Sequence, residues 1–242
     1  MEDHSISLNK YISSTGICSR READQWIEAG RVAINGQIAQ KGNRVTDNDR
    51  VTIDGKPLKN NSKLVYIALH KPPGITSTTD LKDRDNIIDF VNHPQRIFPI
   101  GRLDKASSGL ILLTNDGDIV NEILRVENNN EKEYIVKVDR PVTAQFIQKM
   151  SRGIPILGTK TKPCVVEQKS EFVFKIILTQ GLNRQIRRMC EYLDYKVVTL
   201  KRIRIMNILL HDLKVGAWRD LTNKELQELK SNLAQKSIKN IK

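Results

Sequence analysis

The chain is poor in cysteine and has no long apolar run. Its three cysteines, Cys18, Cys164 and Cys190, are odd in number, far apart and without a Cys-x-x-Cys pair. That excludes a disulfide framework and argues against a thiolate zinc site. The four histidines (His4, His70, His93 and His211) form no ligand-like cluster, so no metal is expected. His70 follows an apolar segment and is expected to pack or hydrogen-bond there. No stretch approaches the roughly 20 apolar residues that span a bilayer. Met1-Glu2-Asp3-His4 also lacks the basic start and apolar stretch of a signal peptide. The expectation is therefore a protein of the reducing cytoplasm, without membrane attachment. Neither a Walker A pattern nor Gly-x-Gly-x-x-Gly after a strand is present, so no nucleotide or redox cofactor is expected.

Negative charge is the other shortage. Against 40 Lys and Arg stand 28 Asp and Glu, a formal net charge of +12. Such an excess favours a polyanionic partner, and without a membrane segment that partner is nucleic acid. With 39% apolar and 28% charged residues, the 242-residue chain reads as globular, long enough for one large domain or two.

Residues 1–60 read as a small separate module. Leu8, Tyr11 and Ile12 fall at helical spacing. Ser19-Arg20-Arg21-Glu22 is a capping-box pattern that opens a second helix, with Ala23, Trp26 and Ile27 on one face and Gly30 at its stop. Val32 and Ile34 alternate before the hairpin turn Asn35-Gly36; Val51 and Ile53 precede Asp54-Gly55. Lys59-Asn60-Asn61-Ser62 reads as a linker. Beyond it strands are predicted over 65–69, 109–114, 133–138 and 172–178. Asp118 is expected to cap a helix bearing Ile119 and Ile123. Further helices carry Phe146 and Met150, Ile186 to Leu193, and Leu226 to Leu233. The fold class is α+β, with a larger domain over 65–222 and a helical or frayed basic tail over 223–242.

Gly101-Arg102-Leu103-Asp104 precedes Ser107-Ser108-Gly109-Leu110 and the apolar run Ile111-Leu112-Leu113. Small residues and a strand after the carboxylate describe a loop that presents Asp104 beside backbone a ligand can approach. The string resembles the central motif of the pseudouridine synthases. Lys71-Pro72-Pro73-Gly74, Lys132-Glu133-Tyr134-Ile135-Val136 and Gly181-Leu182-Asn183-Arg184-Gln185-Ile186-Arg187-Arg188-Met189 resemble three further segments of the bacterial ribosomal, RsuA-like branch, in the same order. Ser-Arg-Arg at the start of the second helix likewise resembles the S4-type RNA-binding domain, although Ser7 stands where such domains usually carry a basic residue.

The resemblance implies a small S4-type α/β module followed by a pseudouridine synthase domain with a mixed, mainly antiparallel sheet. It implies an isomerase that breaks the uridine C1′–N1 bond, turns the base and reattaches it through C5, without a cofactor. Asp104 is the implied catalytic carboxylate, attacking C1′ or taking a proton from C2′. Arg187 is the implied cation that keeps it charged, and Tyr134 the aromatic that stacks on the target base. Arg102 resembles the residue that fills the vacated stack or contacts its backbone. Lys71 is expected to support the cleft and to belong to the RNA-binding set. Arg20 and Arg21 lie at a helix start that attracts phosphate. Arg184, Arg187, Arg188, Lys196, Lys201, Arg202 and Arg204, against Glu191 and Asp194, are expected to form a phosphate-binding rim. Ile87-Ile88-Asp89-Phe90-Val91-Asn92-His93 and Met206-Asn207 look most like the large-subunit branch, which modifies 23S rRNA and whose members can also act on a tyrosine tRNA anticodon. The alternatives are the 16S branch and a non-catalytic RNA-binding assembly factor. A monomer that binds ribosomal RNA is expected.

Overall fold

The computed structural model of the chain describes residues 5–58 and 63–239. The expected linker at 59–62 and the lysine-ended 240–242 lie outside the described residues. The chain divides into two compact units: one holds Met1–Leu64, His93–Ile97 and Asn115–Gly117, the other the remainder.

The first unit contains β1 (Ile6–Ser7), α1 (Leu8–Ser14), α2 (Arg20–Glu28), β2 (Val32–Ile34), β3 (Gln37–Ile38), β4 (Arg44–Val45), β5 (Val51–Ile53) and β6 (Lys56–Pro57). The capping box forms: the Glu22 amide donates to Ser19 Oγ (3.1 Å), and the Ser19 amide to Glu22 Oε2 (2.6 Å). Two orphan amides at the start of α2 are thereby satisfied, which fixes where the helix begins. Leu8 and Ile12 of α1 pack with Ala23 and Ile27 of α2 onto Val32, Val45, Val51 and Ile53. Asn35 and Gly36 take positive φ (51° and 85°), as a tight hairpin between β2 and β3 requires. Two segments from later in the chain belong here: Asn115 Nδ2 donates to Gln95 Oε1 (3.1 Å) and to the Lys63 carbonyl (2.9 Å).

The second unit contains β7 (Tyr66–Lys71), α3 (Ile87–Val91), β8 (Phe98–Ile100), β9 (Ser108–Thr114), α4 (Gly117–Leu124), β10 (Lys132–Val138), α5 (Ala144–Ser151), β11 (Pro155–Ile156), β12 (Thr159–Lys160), β13 (Val165–Ser170), β14 (Val173–Leu178), α6 (Gln185–Tyr192), β15 (Val197–Ile205), β16 (Ile208–Leu209), β17 (Trp218–Asp220) and α7 (Asn223–Lys239). The sheet runs β13-β14-β10-β15-β9-β7-β17, with β16 on β15 and β8 on β9. β15 and β9 are parallel and the other pairs antiparallel, so the fold is α+β with a mixed, mainly antiparallel sheet. The parallel pair brings the strand after the Asp104 loop against the strand after α6, which places two distant motifs side by side.

Differences from the expected elements have local causes. β7 extends past Leu69 to take in His70 and Lys71, both buried. His70 Nδ1 lies 2.7 Å from the Leu213 carbonyl, the packing role expected of it. α4 starts at Gly117, which puts Asp118 inside its first turn rather than at its cap. β13 is exposed almost throughout; an edge strand reading Val-Val-Glu-Gln-Lys-Ser carries no apolar alternation to reveal it.

Candidate active site

Asp104 lies between β8 and β9 in a loop pinned from several sides. Ser77 Oγ donates to the Leu103 carbonyl (3.0 Å) and accepts from the Leu103 amide (3.1 Å). The Ser107 amide closes a turn on the Asp104 carbonyl (2.9 Å), and the Gly74 amide donates to the Lys105 carbonyl (2.8 Å). Lys71 is wholly buried, and its Nζ donates to the carbonyls of Pro72 (2.8 Å), Ile75 (2.8 Å) and Lys105 (3.4 Å). One ammonium thus ties the Pro-Pro-Gly turn to the Asp104 loop. Burial pushes this lysine down to about 8, partly opposed by Asp104 and reinforced by Arg202.

Arg187 approaches Asp104 from α6. Its Nε is 3.6 Å from Asp104 Oδ2, and its Nη2 donates to Ser107 Oγ (3.1 Å). Arg184, the left-handed N-cap of α6 (φ 50°), brings Nη1 to 3.9 Å of the same oxygen. Arg188, one residue on from Arg187, turns away to the Asn183 carbonyl (3.1 Å) and Oδ1 (3.3 Å). Tyr134 of β10 pairs across the sheet with Arg202 of β15, whose guanidinium carbon is 6.0 Å from the tyrosine ring centroid. Asp104, Ser107, Tyr134, Arg184, Arg187 and Arg202 line one cleft of about 460 Å³ with Arg102, Lys132 and the loop 179–183. Among the described residues lining it, Asp104 is the sole carboxylate. A second pocket shares Arg102, Asp104 and Arg184 and is walled by Thr76, Ser77 and Thr78. Among the described residues, no group of three His, Cys, Asp or Glu side chains could hold a metal. No described helix is long and apolar enough to cross a membrane.

A family model described as RNA pseudouridylate synthase matches residues 65–192, which carry every element around this cleft except β15. The chain belongs to the RNA pseudouridylate synthase family. An S4 domain model matches residues 7–51. The synthase is 58% identical to the dual-specificity RNA pseudouridine synthase RluF of Salmonella typhi, over 95% of this chain and 80% of that protein. It is 36% identical to the ribosomal large subunit pseudouridine synthase B of Bacillus subtilis, over 93% and 95%. A solved pseudouridylate synthase structure, 30% identical, superposes with a TM-score of 0.69 over 93% of this chain and 99% of the other. The protein is an RNA pseudouridine synthase, an isomerase of uridine in RNA.

The synthase brings Asp104, Tyr134 and Arg187 into one cleft, with Arg102 and Arg184 on its rim. Arg20 and Arg21 are exposed on the first turn of α2. Two residues of the expected RNA-binding set are buried and not part of an exposed phosphate rim. Lys71 is consumed by three carbonyls, and Arg202 is only 3% exposed, with Nε donating to the Leu110 carbonyl (2.7 Å). Both sit on strands inside the sheet, where a cation is enclosed by its neighbours. Arg204 of the expected rim is occupied as well, paired with Glu133 (2.8 Å) and Glu131 (2.9 Å). The other exposed or half-exposed basic groups of that stretch are Arg184, Arg188, Lys196 and Lys201.

Lys132 was missed by sequence reasoning. It lines the cleft with Nζ donating to the Asn130 carbonyl (3.2 Å). Burial pushes it down to about 8, and Arg202 and Lys236 add to the effect. The signal was in the strand period: two residues before Tyr134, it shares that residue's face of β10.

Proposed function

We propose that this synthase isomerises a uridine of 23S ribosomal RNA, with a tyrosine tRNA anticodon uridine as a second substrate, and that Asp104 opens the reaction at the sugar. The observation that carries the reading is the meeting of Asp104 and Arg187 at 3.6 Å, in a cleft that Tyr134 also lines. A carboxylate at C1′ or C2′ needs a fixed cation beside it and a stacking surface for the displaced base. Arg187 and Tyr134 supply these. Arg187 is held by Ser107 as well as by Asp104, so its guanidinium is preorganised for the charged loop. Lys71 acts as a positioning residue behind the loop. Arg102, Arg184, Arg188 and Lys201 contact RNA backbone, and Arg20 and Arg21 of the first unit add phosphate contacts. The chain acts as a monomer in the cytoplasm, without membrane association. The choice of RNA rests on the 58% identity to a dual-specificity relative and on the string Ile87-Ile88-Asp89-Phe90-Val91-Asn92-His93.

Sequencing of chemically derivatised rRNA and tRNA, from cells with and without the gene, tests the target. Loss of one pseudouridine from 23S rRNA and one from the tyrosine tRNA anticodon is the expected result. Loss from 16S rRNA would overturn the target assignment.

A further inference from the structure

The deep wall of the cleft holds positive charge that the Asp104–Arg187 pair does not use. Arg202 is 3% exposed, and its Nη2 is buried without a hydrogen-bond partner among the described residues. Its other contacts are the Nε bond to the Leu110 carbonyl and the face of Tyr134. Lys132 lines the same wall. Leaving a guanidinium nitrogen buried and unmatched is unfavourable, so a partner that arrives with the substrate is the economical explanation. Backbone phosphate is a poor candidate. Arg102 and Arg184 are exposed, where a phosphate can reach them, whereas Arg202 is buried beside the tyrosine ring. A base stacked on Tyr134 turns its carbonyl edge toward groups around the ring.

We propose that Arg202, with Lys132 beside it, donates through its free Nη2 to a carbonyl oxygen of the target uracil and holds the negative charge the base acquires on leaving the sugar. The inference rests on the assignment of Asp104 as the residue acting at the sugar. If the Asp104 carboxylate attacks C1′, the C1′–O bond forms as C1′–N1 breaks, and the electron pair passes to the uracil. If Asp104 removes the C2′ proton, that C–H pair becomes the C1′–C2′ double bond and the C1′–N1 pair again leaves with the base. On both routes one unit of negative charge moves from the carboxylate to the uracil, where it is shared by N1 and the two carbonyl oxygens. Fixed cationic donors at those oxygens lower the barrier because they bind the departing base more tightly than the bound uridine. The base stays anchored while it turns, and C5 then attacks C1′, displacing the carboxylate or adding to the double bond. On the first route the C5 proton is then lost and N1 gains one; on the second, C2′ also takes back the proton that Asp104 removed, and the isomerisation is complete.

Single-turnover kinetics on the full chain with Arg202→Gln and Arg202→Lys test this. Two RNAs are compared, one with uridine and one with 5-fluorouridine at the target, since fluorine itself stabilises the departing anion. Arg202→Gln should lower the rate of glycosidic cleavage on the uridine RNA by about 100-fold, with RNA affinity nearly unchanged. On the fluorinated RNA the loss should shrink to about tenfold or less, and Arg202→Lys should recover part of the rate on both. Equal losses on the two RNAs, or a loss confined to affinity, would overturn the proposal. Should Arg202→Gln melt below the assay temperature, Lys132→Gln at the edge of the wall decides. It must show a smaller loss with the same dependence on fluorine, and a fluorine-independent loss overturns the proposal equally. Asp104→Asn runs alongside. If it retains activity, the fault lies in the assignment of the site, not in the role of Arg202.

Discussion

At the scale of single residues, Asp104 is met by Arg187 because that side chain leaves the buried face of α6 while its neighbour leaves another. Consecutive helical residues diverge by about 100° around the axis. Arg187→Ala should therefore lower kcat on RNA by about 100-fold or more, whereas Arg188→Ala changes it only several-fold and acts mainly through KM. Steady-state kinetics of the two variants separate these effects, and equal kcat losses would place the catalytic cation elsewhere. Lys132 gives a pH prediction with a definite sign. Held down at about 8, it carries its charge below that pH and loses it above. A rate that uses this charge falls as pH rises through about 8, and Lys132→Met should flatten that limb in single-turnover profiles. The short strings in the sequence were enough to bring Asp104, Tyr134 and Arg187 to one place, because each string also specifies the loop or strand that carries it. The depth of a charge was not legible. Arg202 reads as a surface cation until the sheet closes over it, and Lys132 is hidden inside a motif already represented by its tyrosine.

At the scale of elements, the parallel crossing of β9 and β15 is the tightest constraint. Gly109 has φ +110°, and a Cβ there would lie 2.2 Å from the Arg202 carbonyl oxygen. Gly109→Ala combines a disfavoured backbone with a backbone clash and should destabilise by at least about 3 kcal/mol. For a chain of this size that lowers Tm by about 6–12 °C, readable by thermal circular dichroism. α7 depends on its own cap: the Thr222 amide donates to Glu225 Oε2 (2.8 Å), the Glu225 amide to Thr222 Oγ1 (3.2 Å), and Arg219 grips the Glu225 carboxylate through both Nη atoms. That grip holds the Glu225 carboxyl down at about 2. Since the folded value lies below the ordinary one, its stabilisation is present above the ordinary carboxylate range and is lost as pH falls toward about 2. Glu225→Ala should cost about 1–2 kcal/mol near neutral pH. Urea unfolding of both proteins should show this deficit shrinking as pH falls through that window. Periodicity identified the amphipathic helices, since each buries one stripe. It failed for β13, whose exposed edge position removes the alternation, and at the start of α4, where the acidic residue lies inside the first turn.

At the scale of the whole molecule, a formal charge of +12 sets how the chain meets RNA. Arg20 and Arg21 are exposed where α2 begins. Replacing both with Ala should weaken binding to structured RNA and lower the slope of log affinity against log salt by about 1 to 2, one per lost phosphate contact. Single-turnover kcat at saturating RNA should stay unchanged, because the cleft residues lie in the other unit. Composition and motif order made the two-part organisation legible. They did not reveal that 93–97 and 115–117 return to the first unit, because such an association depends on tertiary contacts such as Asn115 with Gln95, which leave no local pattern. The central claim, that the carboxylate of Asp104 performs the isomerisation in a protein otherwise built to hold RNA, is tested most directly by tritium release from C5-labelled uridine RNA. The wild-type chain should release the label. Asp104→Asn should release none while binding the same RNA within about threefold, since phosphate contacts supply most of the affinity. Appreciable release by Asp104→Asn would contradict the account.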